Sequence, residues 1–340
     1  MKSIRIGLDL AKNVFEVFAV DQQDKLVLRK TLKRAKVLEF FAQQDPCVIG
    51  MESCGGAHYW ARELQKLGHE VRMMAPQFVA PYRKSDKNDR NDAEAICEAA
   101  GRPNMRFVPI KNEEQQAILT IHRARTLLVA ERVALVNQIR GFLMEYGIVL
   151  PQGRRHVRSQ LPGILEDAEN SLPYLAREVF SDQYRRLCEL DRVIDEYDQK
   201  IESLAKAKEV TKRLMKVEGI GPITATAIVA SAGDLHDFTN GRQFAAWLGL
   251  VPRQWSSGGK PRHGRITKRG DSYIRTLLIH GARAVIRFLE RRDDAKSRWV
   301  KRLIERRGVN KAAVALAAKH ARIIWSMISK GTEYKIVKAI

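Results

Sequence analysis

Several things are missing from this 340-residue sequence, and each absence narrows what it can be. No run of about 18 uncharged apolar residues occurs, so no membrane-spanning helix is expected. Met1-Lys2-Ser3 leads straight into an apolar strand pattern, without the apolar core and small-residue cleavage site of a signal peptide. The expected location is therefore the cytoplasm, beside the nucleoid if the partner is chromosomal. Cysteine is scarce, and Cys47, Cys54, Cys97 and Cys188 show neither C-x-x-C spacing nor a nearby histidine pair. A disulfide framework and a zinc site are both poor readings, and the thiols fit a reducing compartment. No long internal repeat is present.

Acidic residues are also in short supply, and the deficit is local. Lysine and arginine number 60 against 39 acids, a net charge of +21. Residues 206–340 hold 29 basic and 10 acidic side chains, a net of +19, whereas residues 1–205 hold 31 and 29. One half is near neutral and the other is built to meet polyphosphate. No amphipathic anchor or lipidation signal accompanies the charge, so nucleic acid rather than a membrane is the expected partner.

The first hundred residues alternate strand and helix signals. Short β-branched or apolar runs at Ser3–Leu10, Val14–Asp21 and Leu26–Leu32 predict three antiparallel strands. Helix–strand units follow, with helices at Ala35–Gln44 and His58–Leu67 and strands at Cys47–Met51 and Glu70–Met74. That order predicts a mixed sheet flanked by helices, the ribonuclease H-like arrangement. Glu113–Tyr146 reads as one long helix, and Pro151–Pro162 as a basic connector containing glycine and proline. Leu187, Leu190, Ile194, Tyr197, Ile201 and Leu204 recur at three- and four-residue steps, a coiled-coil seam whose charged surroundings favour an exposed two-helix contact and hence a dimer. The basic half opens with Val217-Glu218-Gly219-Ile220-Gly221-Pro222, which resembles a helix-hairpin-helix turn. Gly219 and Gly221 there would allow close backbone approach, and the next helix N-terminus would offer N–H groups to a phosphate. Val251–Gly270, rich in Gly, Ser, Arg and Lys, reads as a loop, and three helical stretches finish the chain. The fold class expected is α/β followed by all-α, divided at 1–150, 151–208 and 209–340.

Four acids carry the chemistry. Strand alternation puts Leu8 and Leu10 on one face and Asp9 on the other, and an acid within an apolar strand is costly unless it pairs or binds a cation. Glu52 closes the strand Val48-Ile49-Gly50-Met51 before a Gly-Gly turn. Asp89 and Asp92, three apart, share a face of a helix and repel one another unless a cation intervenes. Hard oxygen donors alone favour Mg²⁺, with Mn²⁺ as a substitute. Such a set suits phosphodiester cleavage, because it can hold metal ions against the attacking and leaving oxygens. Three other readings remain open on the residues alone. They are a junction resolvase or nuclease using metal-activated water, a non-catalytic nucleic-acid-binding protein, and an actin-like ATPase, which also begins Gly-x-Asp-x-Ala but needs further phosphate loops not found here.

These motifs resemble those of the DEDD transposases of the insertion-sequence 110 family, relatives of the Piv invertases. The likeness runs through Gly7-Leu8-Asp9-Leu10-Ala11-Lys12, Glu52-Ser53-Cys54-Gly55 and Lys87-Asn88-Asp89-Arg90-Asn91-Asp92-Ala93. It continues in Glu218-Gly219-Ile220-Gly221-Pro222, in Phe244-Ala245-Ala246-Trp247-Leu248-Gly249-Leu250-Val251-Pro252 and in Lys268-Arg269-Gly270-Asp271-Ser272-Tyr273-Ile274-Arg275. The Ser-Ser-Gly-Gly loop and the spacing look closest to the 1111 subgroup. The resemblance implies a RuvC-like N-terminal domain, a helical coiled-coil linker and a helical transposase domain. It implies a serine nucleophile, here Ser257 or its neighbour Ser256, which joins the acids and forms a covalent phosphoserine link to DNA. Beside it, Lys260, Arg262, Arg265, Lys268 and Arg269 would neutralise backbone phosphates. A structured non-coding guide RNA that pairs with donor and target DNA is implied as a partner, as are dimers that join into tetramers.

Overall fold

The computed structural model describes residues 4–84, 88–257 and 260–335. The side chains of Ser256, Ser257, Lys260, Pro261 and His263 lie outside that description. The chain forms two compact units, Met1–Glu113 and Glu114–Ile340.

In the first unit, Arg5–Leu10 (β1), Val14–Val20 (β2) and Leu26–Lys33 (β3) pair antiparallel. Val48–Glu52 (β4) and Glu70–Met74 (β5) continue the sheet in parallel from the other side of β1, giving the order β3-β2-β1-β4-β5. The helices are Val37–Ala42 (α1), Ala57–Lys66 (α2), the short Pro76–Val79 (α3) and Asp89–Ala100 (α4). This mixed sheet is compatible with a RuvC-like domain. Alternation drives the layering: Ile6, Leu8, Phe15, Val17, Ile49 and Met51 point into a core closed by Phe41 of α1 and by Trp60 and Leu64 of α2. Burying each such side chain contributes about 1.5–3 kcal/mol.

The opposite face of the sheet is covered by α4, and glycine decides how closely. Gly7 and Gly50 are register partners in the parallel β1–β4 ladder. A Cβ at residue 50 would stand 2.6 Å from the Cβ of Ala100, and one at residue 7 would overlap the carbonyl oxygen of Ala93. The helix meets this bare strip with small residues, among them Ala93, Cys97 and Ala100, all buried. Its first turn is thereby brought down to the C-terminal ends of β1 and β4. Replacing Gly7 with Ala is expected to cost about 1–3 kcal/mol, the range for overpacking a well-packed contact. Gly55→Ala, where a Cβ meets nothing within 4 Å, serves as the control. Urea midpoints at unchanged slope would measure both, and equal midpoints for the two variants would refute the close-seating argument.

The second unit is helical. It comprises Glu113–Glu145 (α5), Arg154–Glu166 (α6), Tyr174–Ala207 (α7), Glu209–Met215 (α8), Pro222–Ala232 (α9), Gly241–Trp247 (α10), Ser272–Arg287 (α11), Ala295–Arg307 (α12) and Val309–Ser329 (α13). Between α10 and α11, Pro252–Ser257 (β6) and Lys260–Ile266 (β7) form a two-stranded antiparallel ribbon. Among the described residues no helix is long and apolar enough to cross a membrane.

Three elements depart from the sequence expectation. The seam on α7 is covered by the chain's own α5: Leu187, Leu190, Ile194 and Ile201 are all buried, Leu187 in one cluster with Val136, Ile139 and Leu143. Charged pairs tie the two helices antiparallel, with Arg132 to Asp191 at 2.8 Å and Arg186 to Glu131 at 3.0 Å. A heptad pattern records that a partner helix exists, not that it belongs to another chain, so this seam is no argument for a dimer. The expected connector after Pro151 is helix α6, because Val157 and Leu161 bury one face four residues apart. Pro162 inside α6 deprives the Arg158 carbonyl of its helical donor, and the Tyr184 hydroxyl donates to that oxygen instead, at 3.3 Å. The expected loop at Val251–Gly270 is the β6–β7 ribbon. The two strands are separated in sequence by Gly258-Gly259, a two-residue hairpin signal obscured by the polar composition around it.

The base of the ribbon is fixed by unusual backbone. Gly249 and Gly270 adopt φ +69° and +72°, and a Cβ on either would overlap the backbone of Arg269 or Trp247. Lys268 is at φ +55°. The Arg275 guanidinium donates to the carbonyls of Leu248 and Arg269, both at 3.0 Å.

Candidate functional site

The four acids come together in the first unit through the seating of α4. Asp9 follows Gly7 by two residues and Glu52 follows Gly50 by two, so both lie on the α4 face at equivalent ends of neighbouring parallel strands. Asp9 is the penultimate residue of β1 rather than its middle. Asp89 is the first residue of α4, and Asp92 lies one turn on. Asn88 caps the helix, its side chain accepting from the N–H of Asn91 at 2.8 Å. Acids in the first turn also suit the helix dipole.

Asp9 feels the charge of the other three acids. The Asp9 carboxyl is pushed up from 3.8 to about 6, first by burial and then by the charges of Asp89, Asp92 and Glu52. The Cys54 thiol is raised as well, by burial and by Asp9 and Glu52. One cation answers part of this charge, since the Arg83 guanidinium donates to Asp92 at 3.0 Å. Arg29 and Lys84 engage Glu94 on the same helix, at 2.8 and 3.7 Å.

Two side chains near the acids escaped the sequence reading. Glu16 on β2 is the cross-strand partner of Asp9 and is buried, its carboxylate accepting from the Thr31 hydroxyl at 2.7 Å. With Asp89, Asn88 and Arg29 it lines an open cleft. Its signal was available, because an acid inside Val14-Phe15-Glu16-Val17-Phe18 is as anomalous as Asp9 in its own strand. Arg83 carried no such signal.

The donor set fits a hard divalent cation. The four carboxylates offer only oxygen, and their mutual repulsion is registered on Asp9. Among the described residues no three of them already stand in metal-ligand spacing.

In the second unit, Arg262, Arg265, Lys268 and Arg269 are exposed on or beside the ribbon, and none pairs with an acid among the described residues. Ser257 ends β6 opposite Lys260, and Ser256 pairs with Pro261; the side chains of Ser256, Ser257 and Lys260 lie outside the described residues. The turn between α8 and α9 holds Gly219 at φ +84°, where a Cβ would stand 2.6 Å from the carbonyl oxygen of Gly281 on α11. The close approach at Gly219 is thus to the protein's own backbone. Gly221, the N-cap of α9, is exposed and has open space around it.

Comparison with known proteins places this architecture. Residues 6–148 match the family model DEDD_Tnp_IS110, described as a transposase, and residues 211–298 match the Transposase IS116/IS110/IS902 family. A protein of Pseudomonas aeruginosa named "Probable family 20 transposase" is 52% identical over 98% of this chain and 99% of its own. The transposase for insertion sequence element IS1111A of Coxiella burnetii is 43% identical over 98% of this chain and 92% of its own. The transposase for insertion sequence element IS1328 of Yersinia enterocolitica is 41% identical over 97% and 98%.

The chain belongs to the IS110 transposase family.

As a transposase it is an enzyme acting on DNA, and DEDD-type transposases generally use a divalent metal. Asp9, Glu52, Asp89 and Asp92 all lie within the DEDD match, and the region around the ribbon lies within the second match.

Proposed function

We propose that this transposase cleaves and rejoins DNA strands to move an insertion sequence, with Asp9, Glu52, Asp89 and Asp92 holding Mg²⁺, or Mn²⁺ in its place. The observation that supports the reading is geometric: Asp9 and Glu52 lie at equivalent ends of neighbouring parallel strands on the face covered by α4, whose first turn carries Asp89 and Asp92. A divalent cation bound there would polarise the scissile phosphate. Ser257 is the proposed nucleophile. Its oxygen bonds to phosphorus as the phosphorus–sugar oxygen bond breaks; the serine proton leaves and the released sugar oxygen takes one up. The resulting phosphoserine retains the phosphodiester, so rejoining needs no outside energy source. Lys260, Arg262, Arg265, Lys268 and Arg269 neutralise backbone phosphates beside it, and Gly221 at the start of α9 offers a further approach for a phosphate.

A structured non-coding RNA is the proposed guide, and homodimers that join into tetramers the proposed assembly, working in the cytoplasm at the nucleoid. The net +19 of residues 206–340 supports a polynucleotide partner read mainly through its backbone. Purifying the protein from cells that carry the complete element, and sequencing the RNA bound to it, tests the guide. One discrete species from the flank of the element is expected, and a random sample of cellular RNA would refute it.

A further inference from the structure

The ribbon carries a side chain that the proposed chemistry does not use. Trp255 lies two residues before Ser257 on β6 and is 59% exposed, whereas Trp60 is buried and Trp247, Trp299 and Trp325 are half-buried. An indole is costly to leave in water, since it offers a large apolar area and a single donor. This one is held in place: its ring lies over the backbone of Gly264 on β7, where any Cβ would overlap the ring carbon Cζ3. Glycine at 264 therefore provides the seat, and the other side of the ring remains in solvent. Arg262, exposed, is the cross-strand neighbour of Trp255 and shares its face, and Arg253 is exposed two residues earlier on β6.

A flat aromatic fixed on one side, open on the other and flanked by guanidinium groups is the arrangement that receives an unpaired nucleobase. The base stacks on the ring while the cations hold its phosphates. A base within a duplex has both faces covered by its neighbours and has none to offer. From the exposed indole, its glycine seat and the neighbouring arginines, we propose that Trp255 is a stacking platform for an unpaired nucleobase. This rests on the nucleic-acid reading above and extends it: the ribbon distinguishes opened strands from intact duplex. The base can come from a DNA strand freed at the cleavage point or from single-stranded RNA.

The test measures binding of the full chain, by fluorescence anisotropy at fixed salt, to labelled 20-nucleotide oligo(dT), 20-nucleotide oligo(rU) and a 20-base-pair duplex. Trp255→Leu keeps an apolar cover over Gly264 but cannot stack, and is expected to weaken single-strand binding about tenfold while leaving duplex binding within twofold. Trp255→Phe, which can stack, is expected to stay within about threefold of the parent. Selective loss on oligo(dT), on oligo(rU) or on both identifies DNA, RNA or either as the source of the base. Unchanged single-strand binding by Trp255→Leu would overturn the proposal, as would equal losses on duplex and single strand, or losses as large for Phe as for Leu. Failure of the parent to bind any of the three probes would overturn the nucleic-acid reading itself.

Discussion

Asp9→Asn is expected to abolish strand cleavage while raising the thermal midpoint of the metal-free protein. Two consequences of one charge are involved. Losing an ionised donor from the proposed metal set removes several kcal/mol of transition-state stabilisation, a fall of about a thousandfold or more. The same charge is a burden without a cation, because burial and three neighbouring acids hold the carboxyl at about 6 against 3.8. An acid whose folded value lies above its unfolded value binds its proton more tightly in the native state. Stability is then fullest below about pH 4 and declines as pH rises through about 6. Asparagine removes that decline. The carboxyl is partly solvated, so the full shift overstates the effect, and about 1–2 kcal/mol is the expected gain at pH 7.5. That corresponds to about 4–8 °C in the midpoint of the N-terminal unit, shrinking toward zero at pH 4. Calorimetry in EDTA at the two pH values measures it, alongside nicking of supercoiled plasmid. An Asp9→Asn protein with normal nicking would refute the place of Asp9 in the metal set, whatever its stability.

The second large effect concerns the covalent step. Ser257→Ala is expected to eliminate the protein–DNA adduct in denaturing gels, while noncovalent DNA binding stays within about twofold and Ser256→Ala still forms the adduct. Alanine removes the one atom that can bond to phosphorus and leaves the ribbon's backbone pairing intact, since Ser257 meets Lys260 in the ladder through main-chain groups. If instead Ser256→Ala abolishes the adduct, the nucleophile is the neighbouring hydroxyl. If neither change matters and the products carry free 5′-phosphates without attached protein, the acids work with water as a RuvC-like nuclease does.

The N-terminal sheet was legible because its strands obey simple rules. Leu8 and Leu10 alternate with Asp9, and the helix–strand units after β3 leave little topological freedom. Asp9 was legible for the same reason, since it breaks a pattern whose apolar members are unambiguous, whereas Asp89 and Asp92 stand in a polar stretch and were legible only in combination with the strand acids. Glu16 broke the same pattern but lies outside the stretches that carry the family resemblance. Elsewhere local signals gave way to long-range contacts. Pro162 marks a helix breaker until Tyr184, 22 residues on, supplies the missing donor. The period of Leu187–Leu204 is genuine, but the identity of the covering helix depends on an antiparallel return that no local window contains. The ribbon was hidden by its own composition, because polar residues such as Arg253 and Gln254 on one strand and Arg262 and Arg265 on the other leave no apolar alternation to detect.

The glycines at the foot of that ribbon set a boundary on variation. Gly249 and Gly270 sit where no other residue fits without moving backbone, and Arg275 locks the two carbonyls beside them. Outward from this clasp, Arg253, Trp255, Arg262 and Arg265 all face solvent. The ribbon is thus a cassette on a fixed mount: its surface can diversify through successive substitutions while the helical body beneath experiences none of them.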